Sequence, residues 1–311
     1  MSCYEEFALL PEQARELGLA PDGVPVVRRE ALEVAPDRRL SVLVWGSGAA
    51  ELVLVHGGAQ NAHTWDRVAL LLGRPLIAVD LAGHGHSDWR ADRDYSPRAL
   101  AADLAPVVNR LAPEALAVVG MSIGGLACLA LAATHPELVR RLVLVDVTPG
   151  AHASAAGPIV RFVHEAPRSA MFEQLVDYAL ASLPGADPVA LRRGLFHNVR
   201  QGHDGSWTWR HHLGSLDEDE VLGVASTFPS LWPDLACSRV PLLLVRGGRS
   251  PAVTGADVEA VLRLRPDARV EVVDEAGHSI QSDAPARLAE LLGRFVPPER
   301  PDEPPSADRA R

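Results

Sequence analysis

The chain has 311 residues, 47% hydrophobic and 23% charged, which is ample for a sizeable core and excludes wholesale disorder. Lys and Arg total 30 against 40 Asp and Glu, a formal net charge of −10 that argues against nucleic acid or an anionic membrane as partner. Every basic residue is arginine, so Schiff-base chemistry and Walker-type phosphate loops, which need lysine, are excluded.

In chain order, residues 1–25 read as an amphipathic arm, with Phe7, Leu10, Ala14 and Leu17 at roughly helical spacing. Glu5, Glu6, Glu12 and Glu16 interrupt this stretch, so it lacks the apolar core of a secretory signal, and no later run is long enough to cross a bilayer. Segments 26–35 and 40–46 flank Pro36-Asp37-Arg38-Arg39 and predict a β-hairpin. Short apolar runs follow at 52–55, 76–79, 116–119, 142–145, 242–245 and 270–273, unbroken except for Glu271 in the last. They lack polar alternation and predict strands buried on both faces.

Helices are expected between these runs: one opening at the Ser96-Pro97 cap and kinked or shortened by Pro106, others at 123–134 and 284–295. The strand signals stop from about 150 to 237, where helical fragments surround Trp207, Trp209 and Trp232. Residues 297–311 are Pro-rich and charged and are expected to form a flexible tail. Alternating strands and helices predict an α/β fold with a mostly parallel central sheet flanked by helices, and ligands on such sheets bind beyond the carboxyl ends of the strands. Cys3, Cys128 and Cys237 offer neither a disulfide framework nor zinc spacing and fit a reducing, cytoplasmic location.

The residues able to carry chemistry fall at the strand ends. Gly120-Met121-Ser122-Ile123-Gly124 follows one predicted strand and opens a helix, the context that a GxSxG nucleophile turn requires. Small residues at 120 and 124 allow a sharp turn that thrusts Ser122 outward at a helix N-terminus. There the helix dipole and the Ile123 N–H can hold developing negative charge. A serine hydroxyl needs a base. Of 12 histidines, His278 in Asp274-Glu275-Ala276-Gly277-His278 has the position for it, late in the chain and after the last strand. His56-Gly57-Gly58-Ala59 follows the strand at 52–55, and a glycine turn there can aim N–H groups at a substrate oxygen. Gly58 and Ile123 are therefore the expected oxyanion donors. His56, Gly57 and Gln60 are expected beside the substrate, with Asn61, His63 and Trp65 bordering the pocket.

Together these segments resemble the α/β-hydrolase superfamily over about residues 26–296. The loop from Asp80 to Asp88 is similar to the family's D-x-x-G-x-G-x-S turn, so Gly83-His84-Gly85-His86 is expected to be structural and no metal is expected there. The resemblance implies a core made of 26–149 and 238–296, with 150–237 a helical lid over the active site. It leaves the acid open. The commonest family position, the loop after 242–245, holds no carboxylate before Asp257. A subset of the family carries its acid at the end of the preceding strand, which here is Asp146, and Ser250 is placed to support the histidine. Asp257, or no conventional acid at all, are the alternatives.

In the lid, Trp207 and Trp209 either meet substrate or fasten the lid to the core, the second being the simpler reading. Asp217-Glu218-Asp219-Glu220 reads as a solvated acidic patch. The resemblance implies a serine hydrolase of carboxylic esters of a small, apolar substrate, working through an acyl-enzyme without a cofactor, as a monomer or homodimer. Lactone, thioester or carbon–carbon bond hydrolysis on the same residues, or a non-catalytic ligand receptor, are the alternatives. Epoxide hydrolase and dehalogenase readings fit less well, because those members carry Asp where this chain has Ser122.

Overall fold

The structure, a computed structural model, describes residues 4–20, 23–151, 157–166, 171–183 and 187–297; most of the expected tail, 298–311, lies outside the described residues. The strands are β1 (Val27–Ala35), β2 (Arg38–Trp45), β3 (Leu52–Val55), β4 (Leu76–Val79), β5 (Ala117–Met121), β6 (Leu142–Val145), β7 (Val199–Gln201), β8 (Trp207–Trp209), β9 (Leu242–Gly247) and β10 (Arg269–Val273). The helices are α1 (Leu10–Glu16), α2 (Asp66–Leu72), α3 (Pro97–Leu111), α4 (Ile123–Thr134), α5 (Gly157–Glu165), α6 (Phe172–Ser182), α7 (Pro188–Asn198), α8 (Glu218–Ser226), α9 (Trp232–Cys237), α10 (Gly255–Leu264), α11 (Ile280–Asp283) and α12 (Pro285–Phe295).

Eight strands make one sheet in the order β1-β2-β4-β3-β5-β6-β9-β10. β2 runs antiparallel to β1 and β4, and every other pair is parallel. The apolar runs of the central strands have the cause expected of them, whereas 270–273 forms the edge strand β10, where Val272 is exposed and only one end is buried. Alternate residues of β3 and β4 feed opposite faces: Val53, Val55, Ile77 and Val79 join the core that holds Leu104 of α3 and Leu126 of α4, whereas Leu52, Leu54, Leu76 and Ala78 join the core that holds Val68 of α2 and Leu288 of α12. Leu10 and Ala14 of α1 are buried in the second core, so the N-terminal arm packs on the sheet domain.

Three local expectations change. Pro106 lies inside α3, which runs on to Leu111; the Ala102 carbonyl that loses its partner sits on the exposed face, where water can replace it. The segment between β6 and β9 is not purely helical, because β7 and β8 pair as an antiparallel ribbon. In the acidic stretch, Asp217 and Glu220 form a capping box on α8, and Glu220 also pairs with Arg93, so half of that patch has a structural task.

The loop after β4 is organised around Asp80. Its buried carboxylate accepts from Arg29 Nη1–H at 2.6 Å, Ala62 N–H at 2.7 Å and His86 N–H at 3.0 Å, which ties β1 to the turns after β3 and β4. Burial alone would raise its pKa, but Arg29 and the two amides hold it below the ordinary 3.8. A carboxyl depressed in the folded state contributes stability above its unfolded pKa and loses it as pH falls through the folded value. Asp80→Asn is therefore expected to cost about 3 kcal/mol at neutral pH by removing one of the two carboxylates that balance the buried Arg29 guanidinium and leaving it with Glu6 alone. Urea titrations should show that deficit shrinking as the pH falls below the ordinary carboxylate value of 3.8, and a deficit that stays constant would refute the linkage.

Candidate active site

The adjacent strands β5, β6 and β9 end at one edge of the sheet, and two of the expected residues occupy those ends in strained backbone. Ser122 and Asp146 both have φ of 52°, in the left-handed region that side-chain-bearing residues seldom adopt. The Ser122 N–H donates to Val145 O at 3.1 Å and the Asp146 N–H to Val245 O at 2.7 Å, so each turn is fastened to the next strand. Glycine is required on both sides of Ser122. A Cβ at Gly120 would lie 2.5 Å from Gly124 O, and one at Gly124 would lie 2.2 Å from His56 O. These contacts let α4 start directly against β3 and β5.

Asp146 is wholly buried and its carboxylate takes three donors. Oδ1 accepts from Gly247 N–H at 2.9 Å, and Oδ2 accepts from His278 Nδ1–H at 2.7 Å and from the Ser250 hydroxyl. With Nδ1 as donor, His278 Nε2 keeps its lone pair; 41% of the side chain is exposed. The Gly277 N–H donates to Asp283 Oδ2 at 2.8 Å and steadies the loop that carries the imidazole. Asp257, the alternative acid, is engaged elsewhere, in a capping box with Thr254 at the start of α10.

The glycine turn after β3 lies against Ser122, since a Cβ at Gly57 would be 2.4 Å from Met121 Sδ and 3.1 Å from Ser122 Cβ. Among the described residues, no acceptor takes the N–H of Gly58 or of Ile123. The neighbouring donors are occupied: Gly57 N–H by Gln60 Oε1 at 3.2 Å and Ala59 N–H by His84 Nε2 at 3.2 Å. Gln60 also donates to Ser279 Oγ at 3.3 Å and accepts from Gln281 Nε2 at 3.4 Å, so its amide braces the glycine turn against the His278 loop. Sequence reading missed Gln281 and Ser279, whose partners are distant in the chain.

Other expected pocket residues turn away. His56 is fully buried, with Nδ1–H donating to Gly57 O at 2.7 Å and Nε2 accepting from Leu81 N–H at 3.0 Å, so neither nitrogen is free for a substrate. Burial pushes its pKa down and the ring stays neutral. Trp65 is a core residue, and His63 points to Asp66 and Glu6. Trp207 packs on Phe172 at 5.4 Å between ring centres, and Trp209 packs on Phe162 at 5.8 Å while donating to Val163 O at 3.1 Å. Both tryptophans thus hold the inserted segment together internally. Its contacts with the core include Leu231, Leu235 and Trp232, His212 stacked on Trp89 at 4.2 Å, and Asn198 Oδ1, which accepts from Asn61 Nδ2 at 2.6 Å.

Residues 51–285 match the alpha/beta hydrolase fold family. The esterase Rv0045c of Mycobacterium tuberculosis is 42% identical over 295 residues, 93% of this chain and 94% of that protein. A crystal structure of that esterase superposes with a TM-score of 0.80 at 41% identity, covering 95% of this chain and 99% of the other. The 2-(acetamidomethylene)succinate hydrolase of Mesorhizobium japonicum is 28% identical over 267 residues, 83% of this chain and 92% of that protein. A solved E-2-(acetamidomethylene)succinate hydrolase superposes with a TM-score of 0.76 at 25% identity over 87% of this chain and 99% of the other. A strand-to-helix turn at Ser122, an eight-stranded mostly parallel sheet and a family match over most of its length agree: this chain belongs to the alpha/beta hydrolase fold family.

Proposed function

We propose that the protein is a serine hydrolase that cleaves carboxylic ester bonds of a small, apolar substrate through an acyl-enzyme. The observation that carries this reading is the 2.7 Å contact of His278 Nδ1 with buried Asp146, at the sheet edge where Ser122 also ends its strand. The match to an esterase over nearly the full length of both proteins supports an ester as the substrate class.

Ser122 Oγ attacks the ester carbonyl while His278 Nε2 removes its proton, and Asp146 holds the imidazole in the required tautomer and supports the imidazolium. The negative charge that develops on the carbonyl oxygen is met by the Gly58 and Ile123 N–H groups, assisted by the N-terminus of α4. His278 returns its proton to the departing alcohol. It then activates water against the acyl-enzyme, and Ser122 is regenerated. Ser122 Oγ makes no hydrogen bond among the described residues, and base–nucleophile contacts commonly tighten only when substrate is bound. The insert acts as the lid, positioned over the glycine turn by the Asn61–Asn198 bond.

Ser122→Ala is expected to abolish both p-nitrophenyl ester turnover and labelling by a fluorophosphonate, with kcat down roughly 10⁴-fold or more and the fold intact. Undiminished turnover in that variant would sink the mechanism. Asp146→Asn should lose about 10⁴-fold in kcat by permitting the wrong tautomer, whereas Asp257→Asn should keep kcat and lose only about 1 kcal/mol of stability from the cap. The opposite pattern would transfer the acid's role to Asp257.

A further inference from the structure

His63, Asp66 and His197 form a second buried cluster that the proposed hydrolysis does not use. In a 3-10 turn, residues i and i+3 eclipse, so the turn Ala62–Trp65 running into α2 sets His63 and Asp66 on one face. His197, on the last turn of α7 in the insert, lays its ring over His63 with 3.8 Å between ring centres and 15° between planes. One ligand atom from each of the three residues lies within 4.8 Å of the other two, and the residues are 9%, 2% and 4% exposed respectively.

An ordinary ion-pair reading explains part of the cluster. His63 Nδ1 meets Asp66 Oδ2 at 2.9 Å and its Nε2 meets Glu6 Oε1 at 3.0 Å. That reading leaves His197 Nε2 and Asp66 Oδ1 buried with no partner, two atoms that cost free energy unless something binds them. The other His197 nitrogen, Nδ1, is 2.9 Å from Tyr4 Oη. With a cation on Nε2, Nδ1–H would donate to the phenol oxygen, the outer-shell contact that orients metal-bound imidazoles.

We infer that His63, Asp66 and His197 form a binding site for a divalent transition-metal ion of the zinc type, which joins the insert to the core. Two imidazoles and one carboxylate are donors that zinc accepts at about 2.0–2.2 Å. Reaching the roughly 3.4 Å separation of tetrahedral ligands asks His63 Nδ1 and Asp66 Oδ2 to part slightly from 2.9 Å while donors within 4.8 Å of one another draw together. The ion replaces the proton between His63 Nδ1 and Asp66, which passes to solvent. The absence of any metal expected from the sequence rested on motif spacing; these ligands come from segments more than a hundred residues apart and form no motif.

The test is calorimetric titration of the metal-free full chain with ZnCl₂, together with visible spectra after CoCl₂ addition, on wild type, His197→Gln, Asp66→Asn and His278→Ala. One zinc per chain is expected in wild type and His278→Ala, with affinity at least about tenfold weaker in His197→Gln and Asp66→Asn, and a four-coordinate cobalt band in wild type. The inference is overturned if wild type takes up no zinc and shows no cobalt band, which would leave a bridging water as the partner. It is equally overturned if only His278→Ala loses the ion, which would place the metal on the catalytic imidazole. Should either ligand variant fail to fold, the cobalt spectra of wild type and Tyr4→Phe decide, because an ion on His197 must respond to loss of its outer-shell partner.

Discussion

A fully buried carboxylate is tolerated only when donors converge on it, and Asp146 is such a group on which the site depends. Its partners arrive from three places: the end of β9 through Gly247, the following loop through Ser250, and the loop after β10 through His278. Because β9 lies between β6 and β10, the imidazole has to reach across one intervening strand end. Gly247 and Gly248 make that crossing short. A Cβ at Gly247 would stand 2.1 Å from Gly277 O, and one at Gly248 would stand 2.6 Å from Asp274 Cα. With no side chain at these two positions, the loop that carries His278 comes close enough for its imidazole to meet the carboxylate at the end of β6.

Much of this was legible in the sequence because it depends on local periodicity or on contiguous motifs. Unbroken Val and Leu runs identify strands buried on both faces, since any polar residue there would lie in one of the two cores. The Gly120–Gly124 turn was legible because its steric demand falls on residues two positions from Ser122. The residues that sequence reading misplaced are those whose partners lie far along the chain. Trp207 and Trp209, expected to meet substrate or fasten the lid to the core, pack instead on Phe172 and Phe162 of the insert's own helices, and nothing local specifies that choice. The ribbon β7–β8 was invisible for a related reason: strands of three residues are too short to show a pattern.

The histidines illustrate why position in the fold outranks residue type. His56, His84 and His211 are all buried, and burial lowers each pKa, to about 3 for His211, so these rings stay neutral over the ordinary pH range. Both nitrogens of His56 and of His84 are engaged with nearby groups, and these rings act as rigid spacers under the glycine turn and the loop after β4. His278 differs in that one nitrogen has no partner among the described residues, at a partly exposed face, while the other is fixed by a carboxylate. That asymmetry between two nitrogens of one ring sets His278 apart from the buried histidines, and a sequence string does not encode it.

The acidic residues of the N-terminal arm carry a similar lesson. Read along the chain, Glu6, Glu12 and Glu16 only interrupt an apolar pattern. In three dimensions, Glu12 and Glu16 pair with Arg193 of α7, and Glu6 pairs with Arg29 and His63 of the core. The Arg193 pairs involve exposed carboxylates and contribute little to stability, on the order of 0–1 kcal/mol each. What fastens the arm is the burial of Leu10 and Ala14 against the sheet domain, while the charges choose where the insert meets it. The arm is therefore held to the core by apolar area and to the insert by directional contacts, including Tyr4 on His197.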